Sequence, residues 1–380
     1  MKQNVFLGFN TITNVEKILK EHSPKNIFIV TGKLSYKKQK IISLIRQQIN
    51  PYNVTYFSDF SPNPEIKDVL NGVVKYKNHQ CDFVIAIGGG SAIDTAKAIN
   101  ILSYNKEHPL VYSRQLKHIS RKGAPLIAIP TTSGSGSEAT KFSSLYDNKI
   151  KCSLNHKYLL PDYVIVDPQL SLTLPPYISA CTGIDALTQA IESHWCIDST
   201  NESKKFSKKA IELIMNNISD AVHRPTIQIR GQMAEAAFLA GKAINITRTT
   251  ACHRIASPIT THYGLPHGNA VGLTLAPMII FNGNVNNKES QDLRGVDYVI
   301  NTINEIANLI GSDSIYGASQ KISLLLENIG LKTRLSEVGI KTTNDITKII
   351  QGCYSKKKFN NNPRFLSETS LRYEILDKIK

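Results

Sequence analysis

Five short apolar runs dominate the first half of this 380-residue chain: NIFIVTG (26–32), VTYF (54–57), DFVIAIGGG (82–90), PLIAIPTT (125–132) and YVIVDP (163–168). They are continuous rather than alternating, and helix-length segments separate them. A strand that is apolar on both faces needs cover on both faces, so the pattern predicts a parallel sheet between helices. After DPQLSLTLPP (167–176) the strand signal fades. Apolar residues then recur at helical spacing in SKKAIELIMNNISDAV, GQMAEAAFLAGKAI, VDYVINTINEIANLI, ASQKISLLLENIG and NDITKIIQGC. The chain reads as an α/β domain over 1–172 followed by an all-helical domain over 173–380, and its length suffices for two cores. No internal repeat is visible.

In IAIGGGSAIDTAKAI a strand meets three glycines and then a helix. Ser91 is placed to cap that helix, with Asp94 three residues on to complete a box. Gly88, Gly89 and Gly90 let a pyrophosphate approach the backbone, where the helix start offers unpaired N–H donors. A glycine turn alone is a weak signal. A second small-residue loop, PTTSGSGSEAT (130–140), follows another apolar strand. Two such loops at the carboxyl ends of two strands suit a crevice for an extended phosphorylated ligand.

In the second half, HRIASPITTHYGLPHG (253–268) holds three of the ten histidines. Pro266 and Gly268 mark a tight turn. The stretch is either a polar surface loop or half of a metal site whose other half lies elsewhere, and the residues alone leave both open. Cys252, beside His253, reads as a ligand or as a buried spectator thiol.

Composition excludes several classes. Apolar residues make up 41% and charged ones 20%, the balance of a globular chain. No apolar run approaches the roughly 20 residues a membrane helix needs, and MKQNVFLGFNTITN lacks the apolar region of a signal peptide. The six cysteines (81, 152, 181, 196, 252, 353) form no C-x-x-C pair, which fits free thiols in a reducing cytoplasm. The net charge of +15 includes two basic clusters, KLSYKKQK (33–40) and SKKKFNNNPR (355–364). No nucleic-acid-binding motif accompanies them, so neither a nucleic acid nor a membrane partner is expected. A solvated basic surface would instead draw in an anionic substrate.

GGGSAIDTAKAI, IPTTSGSGSEAT, LLPDYVIVDP with LTLPP, TGIDALTQAIES and HYGLPHGNAVGL, in that order, resemble the iron-containing (group III) alcohol dehydrogenases. The likeness runs from SPNPE (61–65) to the helical C-terminus. It implies a Rossmann-like dinucleotide-binding α/β domain plus an all-α metal-binding domain, an architecture shared with the dehydroquinate synthases. It also implies NADPH or NADH, a divalent metal (Fe2+ or Zn2+), and a homodimer or higher homo-oligomer.

Carried over residue by residue, the resemblance makes Asp185, Gln189, His253 and His267 the metal ligands. Asp185 and Gln189 are four apart and share a helix face. A carboxylate and two imidazoles suit Fe2+ or Zn2+ with a position left open for substrate oxygen. Gln189 stands where the family has histidine, which makes zinc as plausible as iron. Ser257 stands where many members carry a further histidine. Asp185, His253 and His267 are then catalytic, with proton transfer falling to Ser257, His262 or water; for His262 a structural role is the alternative. The implied cofactor contacts are Gly32, Asn63, Gly88, Gly89, Gly90, Ser91, Asp94, Thr131, Thr132, Ser135 and Lys151, the last also readable as a surface lysine.

Within the family, Gln189 followed by IESHW, together with TRTTACHRIASPITTHYG, most resembles the branch that reduces phosphonoacetaldehyde to 2-hydroxyethylphosphonate; Arg254 departs from the small residue expected there. A phosphonate dianion calls for an arginine fork. Arg248 and Arg254 flank the ligand segment, with Thr249, Thr250 and His262 as further donors. Either arginine also reads as a solvated or helix-capping residue. At VTGKLSYKK, Gly32 takes the place of a ribose-binding acid, and Lys33, Lys37 and Lys38 follow, so NADPH is expected to be accepted. The rival readings are a dehydrogenase for another small aldehyde or alcohol, a dehydroquinate synthase-like lyase, a binding protein that has lost its metal, and a nucleic-acid binder.

Overall fold

The computed structural model describes residues 2–33, 42–148, 150–354 and 359–380. Two compact units form: Met1–Leu174 with Thr226–Phe238, and Pro175–Pro225 with Leu239–Lys380.

In the first unit the strands are β1 (Asn4–Leu7), β2 (Asn26–Thr31), β3 (Asn53–Phe57), β4 (Phe83–Gly88), β5 (Leu126–Pro130), β6 (Phe142–Asp147), β7 (Ile150–Asn155) and β8 (Tyr163–Val166). Six of them make one parallel sheet in the order β1-β8-β5-β4-β2-β3. Its helices include α1 (Asn14–His22), α2 (Ile42–Ile49), α3 (Ile66–Asn78) and α4 (Gly90–Tyr104).

The continuous apolar runs are explained by where alternate residues go. Phe28, Val30, Val84 and Ala86 pack with Val69 and Val73 of α3 and Ile93 and Ile99 of α4. Their neighbours Ile27, Ile29, Ile85 and Ile87 pack on the other face with Ile18 and Leu19 of α1 and Ile45 and Ile49 of α2. Each fully buried aliphatic side chain contributes roughly 1.5–3 kcal/mol, so both faces of the sheet are stabilised.

Two features lie outside the sequence reading. The edge strand β1 is only four residues long and mostly exposed, so NVFL carries no long apolar run. β6 and β7 pair antiparallel as a separate hairpin, and in β7 buried residues partly alternate with exposed polar ones. Thr226–Phe238 joins the first unit because Ala234 and Phe238 share a buried cluster with Ala139, Val164 and Val166. A single cut at 172/173 does not describe that return.

The second unit is built from α5 (Pro176–Trp195), α6 (Asn201–His223), the C-terminal part of α7 (Ile227–Thr247), α8 (Ala251–Tyr263), α9 (His267–Gly283), α10 (Val296–Ile310), α11 (Ile315–Asn328) and α12 (Thr343–Tyr354). α9 packs against α5, α8, α10 and α11. It is accordingly apolar nearly all round, as a helix enclosed by others must be.

No helix of the described residues is long and apolar enough to cross a membrane. The six cysteines are buried and no disulfide joins them. Of the two basic clusters, residues 34–40 and 355–358, including Lys37 and Lys38, lie outside the described residues.

Candidate metal centre and nucleotide loops

β2, β4 and β5 are neighbours in the sheet, so their carboxyl ends bring Gly32, Gly88 and Thr131 together. The Thr131 N–H donates to the Gly88 carbonyl at 3.0 Å. The two small-residue loops meet side by side: a Cβ on Gly89 would lie 3.2 Å from the Thr132 hydroxyl oxygen, and one on Gly90 only 2.7 Å from Ser135. Glycine at position 90 is therefore required by the neighbouring loop. No side chain caps α4, and an uncapped helix start of this kind suits phosphate oxygens.

The expected Ser91–Asp94 box does not form. α4 begins at Gly90 with Gly89 at its cap, which puts Ser91 inside the first turn. Its hydroxyl donates instead to the Pro62 carbonyl, tying the glycine turn to the SPNPE turn that holds half-buried Asn63. Asp94 faces inward and accepts from the Ser137 hydroxyl at 2.5 Å and the Ser144 N–H at 3.0 Å. Beside it Lys97, which the sequence reading passed over, is fully buried. Its ammonium lies among the carbonyl and hydroxyl oxygens of Ser137 and Thr140 and the Phe142 carbonyl. Burial pushes Lys97 down to about 8 against the pull of Asp94 and Glu138. The pair staples the second loop to α4. Lys151 sits on β7 opposite Tyr146. Burial raises the Asp94 carboxyl above its ordinary value, opposed in part by Lys97, the Ser137 and Ser144 hydrogen bonds and, least, the charge of Lys151. Lys33 pairs with Asp59 at 3.3 Å, both exposed.

In the second unit, Asp185, Gln189 and Glu192 recur at helical spacing along one face of α5. HRIASPITTHYGLPHG is not a loop. His253 lies in the first turn of α8, the chain reverses at Gly264 (φ 71°), and His267 opens α9. The Nε2 of His253 is 3.2 Å from Asp185 Oδ1, and the rings of His253 and His267 are 5.4 Å apart. Donor atoms of Asp185, His253 and His267 all lie within 4.8 Å of one another. One carboxylate oxygen and two imidazole nitrogens converging from three helices fit a divalent ion.

Gln189 hydrogen-bonds the Asp185 carboxylate. Burial alone would raise the Asp185 carboxyl; the His253 hydrogen bond, the charges of His267 and His253, and Gln189 outweigh it and hold it below its ordinary value. Burial likewise pulls His253 down, but Glu192 and Asp185 lift it to about 9. Cys252 is not among the clustered donors, and burial pushes its thiol well above the ordinary range, which makes it a spectator.

Glu192 is the residue the sequence reading missed. It is fully buried, with Oε2 2.5 Å from His253 Nδ1. Its Oε1 accepts from the Cys252 N–H at 2.6 Å and the Thr250 hydroxyl at 3.0 Å, and Trp195 Nε1 donates to that hydroxyl at 2.8 Å. The available signal was a third polar side chain on the face of TGIDALTQAIES that carries Asp185 and Gln189.

Ser257 is one turn beyond His253 on the same face of α8. His262 is nine residues beyond His253, about half a turn away, and lines an open groove with Tyr263, Asp345, Lys348 and Gln351. The helix therefore separates His262 from the metal donors, contrary to a catalytic role for it. Arg254 is about 100° round the helix from His253, with its guanidinium 5.3 Å from the Phe359 ring centre. Arg248 is exposed, in a left-handed turn (φ 67°) before α8. The carbonyl of the next residue, Thr249, accepts from Asn361 at 2.7 Å.

Residues 2–168 match the family model described as iron-containing alcohol dehydrogenase, and 179–378 match that of the C-terminal part of the Fe-containing alcohol dehydrogenase family. A long-chain-alcohol dehydrogenase of Geobacillus thermodenitrificans is 32% identical over 277 residues, which is 71% of this chain and 69% of that protein. A 1-propanol dehydrogenase of Salmonella typhimurium is 30% identical over 95% of both chains. Among solved structures, sulfoacetaldehyde reductase from Bifidobacterium kashiwanohense in complex with NAD+ superposes with a TM-score of 0.85 at 29% identity, over 97% of this chain and 95% of that one.

Proposed function

The chain belongs to the iron-containing alcohol dehydrogenase family, and from that premise we propose that it reduces a small anionic aldehyde, phosphonoacetaldehyde, to 2-hydroxyethylphosphonate with NADPH or NADH. Members of the family are oxidoreductases acting on CH–OH groups that use NAD(H) and iron or another divalent metal. The observation that carries the reading is the convergence of Asp185, His253 and His267 on one small volume.

When bound, the ion supplies Lewis acidity at the carbonyl oxygen and the nicotinamide supplies a hydride for the carbonyl carbon. Asp185, His253 and His267 would hold the ion. Gln189 either lends its amide oxygen or keeps the Asp185 carboxylate aimed through their hydrogen bond; with an amide in that place, zinc serves as well as iron. Ser257, one turn beyond His253 on α8, would hand a proton to the product oxygen. The loops running from Gly32 through Gly88–Gly90 to Ser135 would cradle the pyrophosphate. No carboxylate at Gly32 repels a 2′-phosphate, which supports acceptance of NADPH.

The substrate class draws support from the sulfoacetaldehyde reductase likeness, since that protein's named substrate is a two-carbon aldehyde with an anionic head. Arg248 and Arg254 are the proposed anion donors. The relatives named for 1-propanol and long-chain alcohols favour a second reading, an uncharged small aldehyde or alcohol. A panel of aldehydes assayed with NADH and NADPH on metal-reconstituted protein separates the two. Phosphonoacetaldehyde is expected to lead in kcat/KM, and R248A or R254A to raise its KM without touching that of propanal. Aliphatic aldehydes turning over faster would sink the phosphonate reading and leave the dehydrogenase class intact.

A further inference from the structure

Glu192 touches neither substrate nor cofactor on the reading above, yet it carries more polar contacts than the metal donors around it. A buried carboxylate is costly unless every lone pair is used. Here Oε1 is occupied by the Cys252 N–H at 2.6 Å and the Thr250 hydroxyl at 3.0 Å, leaving Oε2 for His253 Nδ1 at 2.5 Å. As a carboxylate, Glu192 has only acceptors, so Nδ1 must carry the hydrogen between them. The other ring nitrogen, Nε2, lies 3.2 Å from Asp185 Oδ1 and donates to it in the metal-free protein. When an ion binds, Nε2 is the nitrogen that gives up its hydrogen and offers a lone pair, because Nδ1 stays committed to Glu192.

We propose that Glu192 is a positioning residue that selects the Nε2-presenting tautomer of His253 and so sets how tightly the centre holds its ion. The same side chain bonds the first backbone N–H groups of α8, at Cys252 and, at 3.4 Å, His253. Ring and backbone of the ligand are thus anchored to one carboxylate, which Trp195 in turn braces through Thr250. Carboxylates behind ligand histidines of this kind typically govern metal affinity by about 10- to 100-fold.

The inference rests on the metal reading, and its test keeps the two apart. The variant is E192Q. Its amide oxygen can keep the Cys252 and Thr250 bonds, but the amide NH2 then faces Nδ1, which must accept and shift the ring hydrogen to Nε2, where the ion would bind. Zinc affinity is measured by competition with a chromogenic chelator on wild type and E192Q, beside the melting temperature of the metal-free proteins. We expect zinc binding about 10- to 100-fold weaker in E192Q and an unchanged KM once zinc is saturating. The metal-free variant should still fold cooperatively, though with a lower melting temperature at pH 7 as the charged-imidazole pairing is lost. Zinc binding within twofold of wild type overturns the proposal. In zinc-loaded wild type, histidine 15N NMR should find His253 protonated at Nδ1 and coordinated through Nε2; coordination through Nδ1 overturns the proposal even if E192Q does not fold. Wild type that binds no zinc, iron or other divalent ion sinks the metal reading and this inference together.

Discussion

Gly268 and Cys181 touch across two helices: a Cβ built on Gly268 would stand 1.8 Å from the Cys181 carbonyl oxygen. Cys181 is one turn before Asp185 on α5, and Gly268 follows His267 at the start of α9. The missing side chain is what lets the His267 imidazole come down beside the Asp185 carboxylate.

Adding one methyl group there should open the centre. G268A must push α9 off α5, an overpacking cost of about 1–3 kcal/mol. We expect a lower melting temperature together with loss of bound metal, read by elemental analysis of the purified variant. Wild-type metal content in a folded G268A would contradict this account of the packing.

Metal uptake should release a proton at neutral pH. Glu192 and Asp185 lift His253 to about 9 against its burial. Metal-free protein therefore keeps that imidazole charged at pH 7, and the ion must displace the proton. Calorimetry in buffers of different ionisation heat should show about one proton released at pH 7 and almost none above pH 10. Affinity should climb about tenfold per pH unit up to pH 9 and then level off. The sign follows from the raised value: the charged form stabilises the metal-free fold below the unfolded-state value and is lost as pH rises through 9.

Glu138 titrates in the opposite unit with a separate consequence. Burial, partly opposed by its own backbone hydrogen bond and by Lys97, raises it to about 7. A carboxyl raised on folding favours the folded state in acid and loses that contribution as pH rises from its unfolded value through 7. E138Q should therefore gain on wild type between pH 5 and pH 8, by at most about 3 kcal/mol. Melting curves at those two pH values check it, and an equal pH response in both proteins would rule it out.

Ser257 and His262 should separate cleanly in kinetics. S257A removes the hydroxyl one turn from His253, and kcat is expected to fall at least tenfold, to about 100-fold if water does not substitute, with metal content unchanged. H262A alters a groove on the far side of the helix and should stay within twofold of wild type. The reverse ranking would move the proton path to the other face of α8.

The parts of this protein that were legible in its residues are those governed by near neighbours in the chain. Continuous Ile, Val and Phe runs announced strands buried on both faces, and three glycines after Ile87 announced a backbone turn into a helix. The polar strands β6 and β7 gave no such signal. The Ser91–Asp94 box was misread because its spacing suits a cap only if Ser91 is the N-cap, and the helix already starts at Gly90 with Gly89 at its cap.

Local sequence by itself determined that Asp185, Gln189 and Glu192 share one stripe of a helix, because 100° per residue leaves no choice. That His253 and His262 lie on one helix, and so face apart, was decided by the fold. Only the tertiary structure decided that His253 meets a carboxylate 68 residues earlier in the chain and a second one 61 residues earlier. Such meetings depend on how closely whole helices approach, down to a single absent methyl at Gly268, and no periodicity within one helix encodes that distance.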